Sequence, residues 1–309
     1  MKYRHCEICA NPLIFSANVV VSPWIRSLGV NRKRVSKYMY CGTCSSGFFD
    51  YRYSDDEMSR IYSNYRGENY LNIRLKWEPW YNKAFNEEHD SAEFISMRQE
   101  SLYQFLHKFL PNIPETVVDV GGDRGQYIPS FGQTESYVIE SSSKNLVNGI
   151  KRLSSLEEIS RCDLVLYSHV LEHVANPKDE VIKLLQHCEF VYVEVPYGAP
   201  EIDKSRKSRI RFALKLLSSF SPKFWRKFSK PATGRKSQKG VLIQSEHINF
   251  FSENSFKALA EKLGLEVVIE VNPIYTPDKA EGKVIQCLFT PTGNKNKSWA
   301  TIDALGAER

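Results

Sequence analysis

Short runs of β-branched and aliphatic residues recur through the middle of the chain, separated by polar or glycine-rich sequence. The runs that we interpret as strands of one sheet lie at 116–120, 136–140, 150–153, 163–168, 190–195, 265–271 and 283–290. Buried parallel strands read as continuous apolar runs rather than as an apolar–polar alternation. The pattern therefore predicts an α/β fold around a mostly parallel sheet.

Helical segments are predicted beside these runs, at 88–110, 178–188, 206–220 and 253–263. Asn176-Pro177 suits the start of the second of them, because proline is tolerated in the first helical turn. Ser252 and Gly264 bracket the last, as an N-terminal cap and a C-terminal stop. Ser54, followed by three acids, predicts a further helix start ahead of an aromatic-rich segment.

The first predicted strand of the sheet runs into a glycine-rich turn at 121–125, and a helix is expected from Gln126. In open α/β sheets, a nucleotide-like ligand binds at such a strand–turn–helix unit. Glycines let the backbone turn sharply and leave room for the ligand. Glu140 ends the second strand, 21 residues after Asp119, where a carboxylate can accept hydrogen bonds from both ribose hydroxyls.

These features, together with the stretches 162–177, 190–198 and 246–267, resemble the class I S-adenosylmethionine-dependent methyltransferases over roughly 102–290. Segment 59–81, behind two CxxC motifs, is also similar to bacterial sugar methyltransferases with an N-terminal zinc-binding module. The resemblance implies a Rossmann-like methyltransferase sheet that is mostly parallel, with the last strand antiparallel, plus a small zinc-ribbon module and a helical cap. Asp123 departs from the family pattern, which more often has glycine there.

The resemblance also implies site residues. The cofactor-binding candidates are Asp119, Gly121, Gly122, Gly125, Glu140, Ser168, His169, Tyr65 and Arg66. Asp119 would anchor the cofactor's amino group, and Glu140 would bind its ribose. Tyr65 with Arg66 would cap its methionine end, although core packing or a surface ion pair is an equal alternative for that pair. No acid follows strand 150–153, so the adenine-recognising residue is not identifiable.

Histidine suits removal of a proton from the methyl acceptor, because its ordinary pKa lies near neutrality. His247 is the first candidate for the general base and His169 the second. The alternative for His247 is a structural hydrogen bond to the loop after strand 190–195. Glu194 and Tyr197 are candidates for lining the acceptor pocket.

Four of the seven cysteines form two pairs, Cys6-x-x-Cys9 and Cys41-x-x-Cys44. Two such turns can complete a tetrahedron of thiolates around Zn²⁺, and four thiolates leave no coordination position for catalysis. We therefore expect a structural zinc site, with ribbon strands at 18–21 and 38–40. The other three cysteines lie in apolar contexts that predict core packing.

Charge is unevenly distributed along the 309 residues, whose 42% hydrophobic content is that of a globular protein. The net charge is +6, but segment 204–239 holds 13 Lys and Arg and no acid, which leaves −7 for the remainder. The segment is interpreted first as a lid or sugar-phosphate clamp, then as a contact with an anionic membrane, then as an RNA grip. With no apolar run of membrane-spanning length, we expect a cytoplasmic protein, with peripheral contact at the inner membrane face as an alternative.

The predicted organisation is a zinc-binding module at 1–50, a helical cap at 51–110, a methyltransferase domain at 111–291 with a basic insertion at 201–244, and a tail at 292–309. The predicted function is methylation of a sugar, in a nucleotide-sugar or a surface glycan. O-methylation is favoured, because the similar C-methylating enzymes carry an extra C-terminal domain. An RNA methyltransferase and a non-catalytic binding protein with the same fold are the alternatives, and nucleic acid is the less favoured partner.

Overall fold

The computed structural model describes residues 4–30, 33–63, 65–78, 81–142, 144–200, 205–228, 242–275 and 281–292. Most of the predicted tail and the segment 229–241 of the basic insertion lie outside these ranges. The strands are β1 (Phe15–Val21), β2 (Val35–Tyr40), β3 (Gly47–Phe49), β4 (Thr116–Val120), β5 (Glu135–Ile139), β6 (Ile150–Leu153), β7 (Cys162–Ser168), β8 (Cys188–Pro196), β9 (Ile243–Gln244), β10 (Asn249–Phe250), β11 (Leu265–Tyr275) and β12 (Glu281–Pro291). The helices are α1 (Pro23–Ser27), α2 (Asp55–Tyr62), α3 (Glu68–Trp77), α4 (Lys83–Glu88), α5 (Ala92–Phe109), α6 (Pro177–Leu185), α7 (Arg206–Ser218), α8 (Pro222–Phe228) and α9 (Glu253–Leu263).

A seven-stranded sheet carries the larger part of the fold, in the order β11-β12-β8-β7-β4-β5-β6. The five strands that follow one another in the sheet as β8, β7, β4, β5 and β6 are parallel to their neighbours. In contrast, β12 runs antiparallel to both β8 and β11. This arrangement confirms the predicted α/β class with its antiparallel last strand.

Helices cover both faces of this sheet, which explains why its central strands are mainly apolar. On one face, α5 packs Leu102 and Leu106 against Val117 of β4. On the other, α6 packs on β8 and α9 packs on β11 and β12, within a core cluster that includes Val118 and Val165. Val117, Val118 and Val165 are fully buried as a result.

The helix expected from Gln126 is absent from the described residues, where 126–134 form turns. Pro129 has no backbone N–H to donate, and Gly132 adopts a φ of +86°, so the segment cannot propagate a helix. The preceding helix α5 holds it instead, because the Gln99 side-chain amide donates to the carbonyls of Gln126 and Ile128 at 3.0 and 3.2 Å.

Two other helix boundaries lie three or more residues from their predicted positions. The helix α5 begins at Ala92 rather than at 88, with Ser91 as its N-terminal cap. The helix α6 ends at Leu185, and Cys188 pairs with Cys162 as the first residue of β8 rather than ending the helix. Apolar Cys188 suits a buried strand as well as a helix end, so the sequence pattern there is ambiguous.

A second, five-stranded sheet has the order β10-β3-β2-β1-β9. Its antiparallel β1–β2 pair confirms the predicted ribbon. The edge strands β9 and β10, however, come from 243–250, at the end of the basic insertion and just after it. This sheet therefore combines the N-terminal module with a distant segment of the chain.

No helix among the described residues has the length and apolar character to cross a membrane.

Candidate active site

The glycine turn after β4 requires glycine for backbone and packing reasons. Gly121 and Gly125 have φ of +77° and +74°, in the left-handed region. A Cβ on Gly121 would lie 2.7 Å from a methyl of Val170, and one on Gly125 would lie 2.9 Å from a methyl of Val138. The turn is thus pressed against the side chains beneath it.

Asp123 occupies the same turn with a φ of +53°. Aspartate is among the few residues that tolerate this left-handed conformation. Its carboxylate forms an ion pair with Lys144, whose Nζ lies 3.0 Å from Oδ1. The turn therefore adopts a glycine-like backbone at 123 even though a side chain is present.

Two carboxylates lie at the ends of the adjacent strands β4 and β5. Burial raises the pKa of Asp119 to about 7, against the opposing charge of Arg98. Glu140 accepts hydrogen bonds from the backbone N–H groups of Ser142 at 2.9 Å and Asp123 at 3.3 Å, which leaves acceptor capacity on its oxygens. A buried acid and a strand-end acid form a pair of hydrogen-bond acceptors that fits an ammonium group and the hydroxyls of a ribose.

A second cluster lies where β7 and β8 end. His169 has a φ of +57°, and its Nε2 lies 3.0 Å from Glu194 Oε1, while its Nδ1 lies 3.4 Å from Glu172 Oε1. Arg98 of α5 reaches the same Glu194 oxygen at 2.5 Å. Burial lowers the pKa of His169, but the hydrogen bonds to Glu172 and Glu194 outweigh it and raise that pKa to about 9.

His247 lies next to this cluster, with its ring 4.7 Å from the ring of His173. Nδ1 of His173 is held 3.0 Å from the Tyr62 hydroxyl and 3.1 Å from the carbonyl oxygen of Glu246. Burial and the neighbouring His173 lower the pKa of His247 to about 4, so its ring is neutral near pH 7. The ligating atoms of Glu172, His173 and His247 all lie within 4.8 Å of one another, a donor set that transition metals accept.

The segment around His247 is fastened to the loop after β7 by backbone hydrogen bonds. The N–H groups of Ile248 and Asn249 both donate to the carbonyl of Glu172, at 2.8 and 3.0 Å. Arg52 closes the arrangement from the other side, donating to the carbonyls of Ile248 and Ala175 at 3.1 and 2.9 Å. This network positions His247 against His173.

The helical cap reaches the glycine turn through Arg66. Burial acts to lower the pKa of this guanidinium, but the effect of Tyr65, Tyr127 and Asp123 is larger and raises that pKa above its ordinary value. Arg66 therefore stays charged beside the turn. The ring of Tyr65 packs in an aromatic cluster, 5.3 Å from that of Tyr62. Ser168 ends β7, in register with Glu194. The structure thus gathers the predicted residues of the main domain along one sheet edge.

Two arginines of this region were missed in the sequence. Arg98 pairs with buried Glu194, and Arg74 of α3 lies 3.2 Å from Glu246. The guanidinium of Arg74 also lies 4.2 Å from the ring centres of both Trp24 and Tyr81. The tyrosines and tryptophans around Arg74 in the sequence were the available signal, since arginine often stacks on aromatic rings. Arg98 has no comparable signal within an ordinary amphipathic helix.

The four paired cysteines form their own cluster. Cys6 Sγ lies 3.6 Å from Cys44 Sγ, and Cys9 Sγ lies 3.5 Å from Cys41 Sγ. Four sulfurs held tetrahedrally at ~2.3 Å from zinc would be ~3.8 Å apart, close to these separations. A backbone N–H, that of Ile8, also points to Cys6 Sγ at 3.4 Å. The geometry fits a tetrathiolate metal site.

Comparison with known proteins identifies the family. A family profile described as a methyltransferase domain matches residues 94–270, more than half of the chain. A search among curated proteins found no match.

Among solved structures, the N-terminal domain of EvdMO1, crystallised with S-adenosylhomocysteine (SAH) and D-fucose, is 13% identical, with 62% of this chain and 82% of that chain covered and a TM-score of 0.38. The 1,6-didemethyltoxoflavin-N1-methyltransferase of Burkholderia thailandensis is 10% identical, with 82% and 95% covered and a TM-score of 0.40. The methyltransferase domain of a bacterial Hen1, CtHen1, is 15% identical, with 62% and 97% covered and a TM-score of 0.37. With the family profile spanning α5 to β11, the chain belongs to the methyltransferase-domain family and is an S-adenosylmethionine-dependent methyltransferase.

Proposed function

We propose that this enzyme methylates a hydroxyl of a sugar, carried by a nucleotide-sugar or a surface glycan, with His247 as the general base. The observation that carries the proposal is the position of His247 in the cluster beyond β7, with its ring 4.7 Å from that of His173 and with a pKa lowered to about 4. A neutral ring has a lone pair for the acceptor's proton, and an O–H is the acceptor group that must lose one.

Cofactor binding is proposed along the ends of β4, β5 and β7. The Asp119 carboxylate would pair with the cofactor's ammonium, and Glu140 would accept from the ribose hydroxyls. Gly121, Gly122 and Gly125 would let the backbone approach the cofactor. Ser168 and His169, with Tyr65 and Arg66 from the cap, would enclose its methionine end.

When bound, S-adenosylmethionine supplies a methyl group on a positively charged sulfur that needs no further activation. The protein has to align the acceptor oxygen with that methyl group and receive the acceptor's proton. His247 would accept the acceptor's proton on a ring nitrogen while the acceptor oxygen takes up the methyl group that the cofactor would supply. The resulting imidazolium is stabilised by the carboxylates of Glu172 and Glu246, which both act to raise the pKa of His247.

His169 suits a different task in the same pocket. Because its pKa is raised to about 9, its ring is a cation at neutral pH and has no lone pair for a proton. This supports His247 ahead of His169 as the base, and favours His169 as a charge that faces an anionic group of the acceptor, such as a phosphate.

Zinc is proposed at Cys6, Cys9, Cys41 and Cys44, as the structural core of a module spanning 1–50. The cap at 51–110 and the methyltransferase domain at 111–291 complete the proposed partition. Two observations support the zinc site. The Sγ atoms lie 3.6 Å apart in Cys6 and Cys44 and 3.5 Å apart in Cys9 and Cys41, and three of the four cysteines are buried.

The test is incubation with methyl-labelled cofactor and panels of nucleotide-sugars, glycans and RNA, followed by mass spectrometry of the products. Labelling of a sugar by the wild type, and loss of that labelling in His247→Ala, would support the proposal. Labelling of RNA alone would overturn it.

A metal-assisted route through Glu172, His173 and His247 makes a different prediction. It requires that a divalent-metal chelator abolish turnover of protein that still contains its cysteine-bound zinc, whereas turnover through a His247 base survives that treatment.

A further inference from the structure

The helix pair α7–α8 presents an apolar face to solvent. Five large apolar side chains of this pair are between 46% and 67% exposed: Ile210, Leu214, Leu217, Phe220 and Phe224. Ile210, Leu214 and Leu217 are spaced by four and three residues, which places them on one side of α7. A face of this kind is unusual on a protein surface that has no partner.

The inner side of the same pair is already in use. Trp225 is buried at 1% exposure, and Lys215 Nζ lies 4.2 Å from the centre of its ring. Arg26 donates to the carbonyl of Ser219 at 2.9 Å, and Arg226 donates to the carbonyl of Leu75 at 2.6 Å. These contacts hold the helices against the cap and the five-stranded sheet, so the apolar face is the outward one.

Exposed cations surround that outward face. Lys207, Arg209 and Arg211 of α7 and Lys223 and Lys227 of α8 are exposed. No acid occurs anywhere between 204 and 239. Long basic side chains around an apolar stripe are the pattern of helices that lie in a membrane interface, because their stems lie along the lipid while their charges reach the headgroups.

We propose that the α7–α8 face docks on an anionic lipid bilayer, with its apolar side chains in the headgroup–acyl boundary. Charge complementarity selects the occupant, since the face carries cations only and the bilayer surface carries phosphates. RNA also offers phosphates, and its bases can stack on Phe220 and Phe224. The aliphatic residues Ile210, Leu214 and Leu217 have no role in such stacking, but they add to the affinity for a bilayer.

The test is co-sedimentation of the full chain, without cofactor or acceptor, with phosphatidylcholine vesicles and with vesicles containing phosphatidylglycerol. We expect binding to the anionic vesicles that weakens as salt rises. The double variant Leu214→Ser/Leu217→Ser should bind about tenfold more weakly, because two apolar anchors are lost. The matched control is Ile113→Ser, a residue that is 65% exposed away from these helices, and it should bind as the wild type does.

Three results would overturn the proposal. The first is that the protein does not bind anionic vesicles, and the second is that the double variant and the control bind these vesicles equally well. The third is that the double variant binds an RNA oligonucleotide as tightly as the wild type does. The assay needs no turnover, so a failure here is separate from a failure of the proposed sugar methylation.

Discussion

Asp119 makes folding stability depend on pH in a direction opposite to that of a salt-bridged acid. Its side chain is 4% exposed, and burial raises its pKa from 3.8 to about 7. Well below pH 3.8 the carboxyl is protonated in both the folded and the unfolded chain, so no penalty exists there. As pH rises through the window from 3.8 to about 7, the unfolded chain releases the proton first, and the folded state becomes less stable.

The size of the effect follows from the shift. At 1.36 kcal/mol per pKa unit, a shift of roughly three units destabilises the folded state by about 4 kcal/mol above pH 7. At pH 5 only part of this penalty has developed, about 1.7 kcal/mol. Asp119→Asn removes the titrating group, so its stability relative to the wild type should improve by about 2.5 kcal/mol between pH 5 and pH 8.5.

The assay is urea unfolding of both proteins at these two pH values, with Glu253→Gln as an exposed acid of α9 for comparison. Calorimetry then measures the affinity of the wild type and of Asp119→Asn for S-adenosylmethionine. The proposed contact between Asp119 and the cofactor's ammonium predicts that the variant binds at least tenfold more weakly. A difference in stability that stays constant between pH 5 and pH 8.5 would refute the buried, proton-retaining carboxyl. Unchanged cofactor affinity would refute its proposed role.

Three further outcomes are expected. His247→Ala should lower kcat by at least about 100-fold, and wild-type kcat should stay flat from about pH 5.5 to 8, because the pKa of His247 is lowered to about 4. A kcat that falls through pH 6.5 would contradict that base. Arg98→Ala should cost about 3–5 kcal/mol in chemical denaturation, since it leaves buried Glu194 without its guanidinium, whereas exposed Arg209→Ala should cost under about 0.5 kcal/mol. Cys9→Ser should lower the bound zinc measured by atomic emission and reduce kcat more than cofactor affinity; equal losses would argue against a separate module.

The large sheet could be predicted because its signals are local. Continuous apolar runs marked the strands, and β6 and α9 lie at the predicted positions. Gly264 has the left-handed φ of +64° that its role as a helix stop requires. The segment after the glycine turn was predicted wrongly because α5, which precedes β4 in the chain, supports it from the side.

The surroundings of His169 and His247 were harder to predict, because they depend on contacts between distant residues. The two histidines became candidates through two separate stretches that resemble the family, and neither stretch says which histidine holds a proton. That difference arises from Glu194 and Glu172 around His169 and from His173 beside His247. Arg98 belongs to the same network, because its guanidinium lies 3.1 Å from Nε2 of His169. The two residues are 71 positions apart, so no local sequence pattern predicts this contact.

The segment 244–249, which carries His247, is hydrogen-bonded to both the N-terminal part of the chain and the loop after β7. Before His247 in this segment, the carbonyl of Gln244 accepts a hydrogen bond from the Ser22 N–H at 2.8 Å. After His247, the carbonyl of Ile248 accepts one from the Phe49 N–H at 3.0 Å. Both donors belong to the N-terminal part of the chain, whereas the Ile248 N–H donates to Glu172 of the methyltransferase sheet. His247 is therefore held between two sheets, and its position depends on the integrity of both. If His247 is the base that we propose, the N-terminal sheet that holds this segment supports the proposed acceptor side of the site.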